Sequence, residues 1–162
     1  MRLSTKGRYA VRAMVDLALH AQEGPVSRAD IARRQGISPA YIAHLFTRLQ
    51  QAGLIRSVRG RGGGYVLGRD PARIPVSEIV RAAEGPVALT DCTAPGGETI
   101  CPRAPRCVTR RLWVRAAEAL VETLDGVTLA DLCAEAEQIG AAQARVEAEA
   151  NPLTPHREVE DG

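Results

Sequence analysis

Aromatic residues are scarce: one Trp, one Phe and three Tyr, 3% of a 162-residue chain that is 45% hydrophobic. The interior must therefore be built from Leu, Val, Ile and Ala, a palette that suits packed helices better than a β-sandwich. No stretch approaches the roughly 20 apolar residues of a membrane span. No secretory h-region opens the chain either, so we expect a cytoplasmic protein with no membrane partner. The constellations of enzyme chemistry are missing as well. No paired acid and base, nucleophile with its histidine or nucleotide fingerprint can be assembled, and an enzyme is not expected.

Cysteine is sparse at four residues, yet three of them fall within the sixteen positions Cys92 to Cys107, CTAPGGETICPRAPRC. Glycine and proline make this stretch a loop in which neither helix nor strand is expected. Arg103, Arg106, Arg110 and Arg111 crowd the same region, and positive charge favours thiolate, the form that binds metal or attacks a disulfide. In a reducing compartment such a cluster reads as a metal, iron-sulfur or redox site before it reads as structural disulfides. Structural zinc is disfavoured, because intervals of eight and five residues exceed the two to four usual within a zinc ligand pair. A metal-free thiol-disulfide switch that regulates transcription stays open as the alternative. Cys133 lies near Leu129 and Leu132 on an expected helix and reads as core.

The net charge of +2 conceals a division. Residues 1–70 hold twelve Lys/Arg against four Asp/Glu, a net +8, and residues 71–162 are correspondingly acidic at −6. An N-terminal half so basic points to a polyanionic partner. Its pattern agrees. A first helix is expected from a Ser4 or Thr5 cap to about Ala21, a second from Ser27, and a third from a Ser38 cap with Pro39 at its first position. The turn Gln35-Gly36-Ile37 joins the last two into a helix-turn-helix, whose second helix enters the major groove of double-stranded DNA. Ser38, Ala40, Ala43 and His44 are candidates to approach bases; Arg28, Tyr41, Thr47 and Arg48 are candidates for the DNA-facing set around them. Two short strands, 54–58 and 65–67, then flank Arg59-Gly60-Arg61-Gly62-Gly63-Gly64, a hairpin wing with a flexible tip. Arg59, Gly60 and Arg61 would reach the minor groove, where narrow A·T segments attract arginine.

The expected class is mainly α with a small β-hairpin: a winged helix-turn-helix over 1–70, and a connector with a short helix over 71–90. The cysteine loop fills 91–107, a dimerisation helix and a final helix fill 108–138, and a disordered tail covers 139–162. The helix after Cys107 carries Leu112, Trp113, Ala116, Ala117, Leu120, Val121 and Leu124 on one face, more than the preceding sequence can cover. Because sites read by a helix-turn-helix are commonly two-fold, this face is expected to pack against its copy in a homodimer.

Taken together, MRLSTKGRYAVRAMVDLAL, VSRADIARRQGISPAYIAHLFTRLQQAGLIRSVRGRGGGYVLG, three clustered cysteines and a helix containing LW resemble the IscR-type regulators of the Rrf-two family over about residues 1–135. The resemblance implies a homodimeric winged helix-turn-helix transcription factor whose promoter binding is controlled by an iron-sulfur cluster. In the IscR branch this is a 2Fe-2S cluster, which would put its metal ligands at Cys92, Cys101 and Cys107. Two departures stand out. Eight residues separate Cys92 from Cys101 where the family pattern has five, and Arg110 occupies the position of the family's histidine ligand. Arginine is a very poor metal ligand, so the fourth position is open among Asp91, Glu98, Cys133 and a small thiol.

Overall fold

Hydroxyl side chains decide where the helices of this chain begin. A computed structural model describes residues 4–99 and 101–150. In it Ser4, Ser27 and Ser38 each accept a hydrogen bond from a backbone N–H in the first turn that follows, at 3.1, 3.1 and 3.2 Å. These caps satisfy donors that the helix itself leaves without partners. The helices are α1 (Thr5–His20), α2 (Arg28–Gln35), α3 (Pro39–Gln51), α4 (Val76–Glu84), α5 (Val108–Asp125) and α6 (Leu129–Ala150), with strands β1 (Ile55–Val58) and β2 (Gly64–Leu67) between α3 and α4. Mainly α with one antiparallel hairpin is the class that the composition implies.

Helices α1 to α4 enclose the main core. Ala10, Ala13, Met14 and Leu17 of α1 meet Ile31 of α2, Ile42, Leu45, Phe46 and Leu49 of α3, and Ile79 and Ala83 of α4, while Leu129 enters from α6. Phe46 packs edge-on against Tyr65 of β2 with ring centroids 4.7 Å apart, so the wing is fastened to the third helix by an aromatic pair. A single bridge fastens it again. Val26 and Tyr65 exchange backbone hydrogen bonds at 2.9 and 2.8 Å, tying the α1–α2 connector to β2. A Cβ at Gly64 would stand 2.4 Å from the Val26 carbonyl oxygen. Glycine at this position therefore answers an approach of the chain to itself, not only an approach to a partner. The expected flexible tip is also a defined turn, closed by a 2.9 Å hydrogen bond from the Gly63 N–H to the Gly60 carbonyl.

The C-terminal part differs from expectation in extent. Helix α6 runs on to Ala150, through positions where a disordered tail was expected. Ala, Glu, Gln and Arg dominate this stretch, and their helix propensity carries it although Ile139 and Val146 stay in solvent. Residues 151–162, with His156, lie outside the described residues. Helix α5 has eighteen residues and buries only Ala117.

Candidate nucleic-acid interface and cysteine loop

Helix α3 turns its apolar stripe inward and leaves Ser38, Ala40 and His44 exposed at its N-terminal end, with Tyr41 and Ala43 half-buried. Tyr41 is held edge-on by Tyr9 of α1, centroids 5.9 Å apart, and the guanidinium groups of Arg8 and Arg12 lie over the Tyr9 ring at 5.9 and 5.6 Å. Such cation–π contacts add positive charge beside the start of the third helix. Arg28 opens α2 in solvent, and Arg59, Gly60 and Arg61 are exposed at the tip of the wing. Arg48 has another engagement. Its Nη1 donates to the Ala83 carbonyl at 2.9 Å, so its guanidinium bonds the end of α4.

The angle between α1 and α2 rests on a buried carboxylate that the sequence did not single out. Asp16 is 3% exposed and accepts from Arg34 Nη2 at 2.6 Å and Nε at 3.0 Å, and from Gln35 Nε2 at 2.8 Å. A buried carboxylate is tolerable only with this density of donors. Its signal in the sequence is faint: one acidic residue beside the apolar stripe of an otherwise basic helix.

The cysteine loop consists of three short turns, Asp91–Thr93, Gly97–Thr99 and Ala104–Arg106, between α4 and α5. Cys92, Cys101 and Cys107 are free thiols, all half-buried. Cys92 Sγ lies 3.3 Å from Thr90 Oγ1, and Cys107 Sγ lies 3.1 Å from Thr109 Oγ1 at the start of α5. The Thr109 hydroxyl, then the Arg110 backbone N–H, hold the Cys107 thiol below its ordinary pKa, with Arg103 adding a smaller electrostatic contribution. Thiolate is favoured there. Among the described residues no three His, Cys, Asp or Glu groups converge as a metal ion requires.

Arg110, in place of a histidine ligand, donates from Nε to the Cys92 carbonyl at 2.9 Å and so clamps the loop to the first turn of α5. Asp91 is exposed at the loop's first turn. The Glu98 side chain lies outside what the structure describes. Cys133 packs against the main core, where burial and then Glu137 push its thiol up, as suits a core residue.

The chain matches the family model of Rrf2, iron-dependent transcriptional regulator, over residues 3–135. It is 48% identical to the HTH-type transcriptional regulator IscR of Xenorhabdus nematophila over 142 residues, 88% of this chain and 85% of that one. It is 49% identical to IscR of Serratia proteamaculans over 132 residues, 82% and 79% of the two chains. Its fold is similar to T. potens IscR with a TM-score of 0.70 at 41% identity, covering 86% of this chain and 90% of that one. Against CymR, the global cysteine regulator of B. subtilis, the TM-score is 0.67 at 38% identity, covering 83% and 98%. With the family model spanning most of the chain and relatives this similar along four-fifths of it, the protein belongs to the Rrf2 family of iron-dependent transcriptional regulators, a family of regulators and not of enzymes.

Proposed function

We propose that this protein binds promoter DNA as a homodimer and that an iron-sulfur cluster, 2Fe-2S as in the IscR branch, controls that binding from the loop of Cys92, Cys101 and Cys107. The observation that carries the DNA-binding reading is the joint exposure of Ser38, Ala40 and His44 on α3 and of Arg59, Gly60 and Arg61 on the wing, within a unit whose net charge is +8. Side chains at the start of a recognition helix read base edges, while wing arginines and Arg28 supply phosphate and minor-groove attraction. Helix α5 supports the dimer. Val108, Leu112 and Trp113 are 77, 54 and 41% exposed, and a helix with that face in water calls for a partner surface. No helix among the described residues is long and apolar enough to cross a membrane, and free thiols are at home in the reducing cytoplasm.

The donor set suits a cluster. Three thiols on one loop are soft ligands, and at least one of them is biased toward thiolate. When bound, the cluster supplies a redox-active, oxygen-sensitive group. The residues around it supply the rest: Thr90 and Thr109 hold two of the sulfurs, and Arg110 holds the loop to α5. Holding a cluster would require the three sulfurs to converge on it, and the loop that carries them runs directly into α5.

Anaerobic purification followed by visible absorption, iron and sulfide assay, and thiol counting tests this reading. We expect a coloured protein whose operator affinity changes on treatment with a chelator. Cys92→Ala, Cys101→Ala and Cys107→Ala should each remove that change and leave the fold intact. A colourless, iron-free preparation in which thiol oxidation alone alters DNA binding would replace the cluster with the disulfide switch.

A further inference from the structure

Helix α4 is fastened at both ends to different parts of the molecule. At its first turn the Ser77 hydroxyl, 1% exposed as a residue, donates to the Asp125 carboxylate at the end of α5. Beside it Val76 N–H bonds the Val127 carbonyl at 2.9 Å and Leu129 N–H bonds the Ile74 carbonyl at 2.8 Å. The start of α4 is thus joined to the α5–α6 turn. At the last turn the Glu84 carboxylate accepts the Gly7 N–H of α1 at 2.9 Å, and Arg48 of α3 donates to the Ala83 carbonyl at 2.9 Å. Each of these pairs places a charge where a helix end leaves backbone groups unpartnered: an anion at the N-terminus of α1, a cation at the C-terminus of α4. Gly7 lets the carboxylate come this close, because a Cβ there would lie 2.4 Å from Glu84 Oε1 and push it aside. The residue after Glu84 begins the segment that leads into the cysteine loop.

We propose that α4 is the strut by which the state of the cysteine loop reaches the DNA-reading surface, with Glu84 and Arg48 as positioning residues that hold α1 and α3 to its loop-proximal end. This rests on the cluster-controlled DNA binding argued above. A rearranged loop pulls on Gly85, Glu84 and Ala83, and two polar contacts carry the displacement to the start of α1 and to the last turn of α3. The loop biases DNA affinity only as far as these contacts differ between its two states.

The test compares parent, Glu84→Met and Arg48→Met, full-length and anaerobic, each cluster-loaded and chelator-stripped, on the tightest duplex that the parent selects from a random pool. Visible absorption reports occupancy, and affinity is measured at several salt concentrations. The inference expects parental absorption and parental salt slopes in both variants. It also expects the ratio of loaded to stripped affinity to fall toward one, whichever state binds more tightly in the parent.

Parental ratios in both variants would overturn it. So would an Arg48→Met protein that loses affinity equally in both states with a salt slope smaller by about one, the mark of a phosphate contact. Glu84→Gln keeps an acceptor for Gly7 and is expected to retain the parental ratio; if Arg48→Met does not fold, Arg48→Gln takes its place. A parent without a cluster, or with equal affinity in both states, would fail the proposed function itself and leave the strut nothing to transmit.

Discussion

Arg59 stands in solvent at the tip of a hairpin whose base is fixed by an aromatic pair and a backbone bridge, so its side chain is presented by a firm support. Arg59→Ala is expected to weaken specific binding by about 1–3 kcal/mol, the range for an arginine that reads DNA, and to flatten the preference at flanking A·T steps. Titration against operators with altered flanks checks it. Asp16 offers the opposite case, a buried charge whose work is internal. Asp16→Asn leaves Arg34 and Gln35 facing a neutral amide, and should cost about 2–3 kcal/mol of unfolding free energy in denaturant titration. This is below the range for breaking a wholly buried pair, because Arg34 stays in contact with water. The two residues also mark what could be read from the chain. Arg59 and the three cysteines announce themselves by composition and spacing. Asp16 meets Arg34 eighteen positions away and Gly7 meets Glu84 seventy-seven positions away, distances at which no local pattern operates.

At the scale of elements, the caps were legible and the lengths less so. Ser4, Ser27, Ser38 and Thr128 each begin a helix as their residue type suggests, since a hydroxyl two or three positions before a free N–H is local chemistry. The extent of α6 was not, because an alanine-rich helix without a buried stripe looks in sequence like a solvated tail. Its start predicts a pH effect. The Thr128 N–H donates to the Asp131 carboxylate at 2.8 Å and the Thr128 hydroxyl at 2.7 Å, and these bonds hold the Asp131 pKa below the ordinary carboxylate value. A carboxylate whose folded pKa is depressed contributes stability that is full above its unfolded pKa of about 4 and is lost as pH falls through the lower folded value. Asp131→Asn should therefore lower stability at neutral pH and reduce its decline in acid, as thermal unfolding from pH 7 to pH 2 would show.

For the whole molecule, the distribution of burial is uneven. The main core gathers α1 to α4, β1 and Leu129, whereas α5 contributes one buried residue and leaves Leu112 and Trp113 exposed. Sequence periodicity revealed the stripe on α5 and that it exceeds what the preceding sequence can cover; which of its residues the chain buries depends on where the loop before it folds. Leu112→Glu should shift the protein toward monomer in analytical ultracentrifugation, with folded helix content by circular dichroism and with weaker operator binding. A protein that stays dimeric would move the interface elsewhere.

The bridge between Val26 and Tyr65 has a bearing on how such a molecule discriminates among sites. With the wing stitched to the connector after α1 and packed edge-on against Phe46, the hairpin is joined to the helical unit at two points. In the proposed dimer, two such units would not each adjust to a misplaced half-site. Selectivity then resides in the phase between half-sites along the duplex as much as in their letters, and a promoter could gain or lose this regulator through a change in spacer length alone.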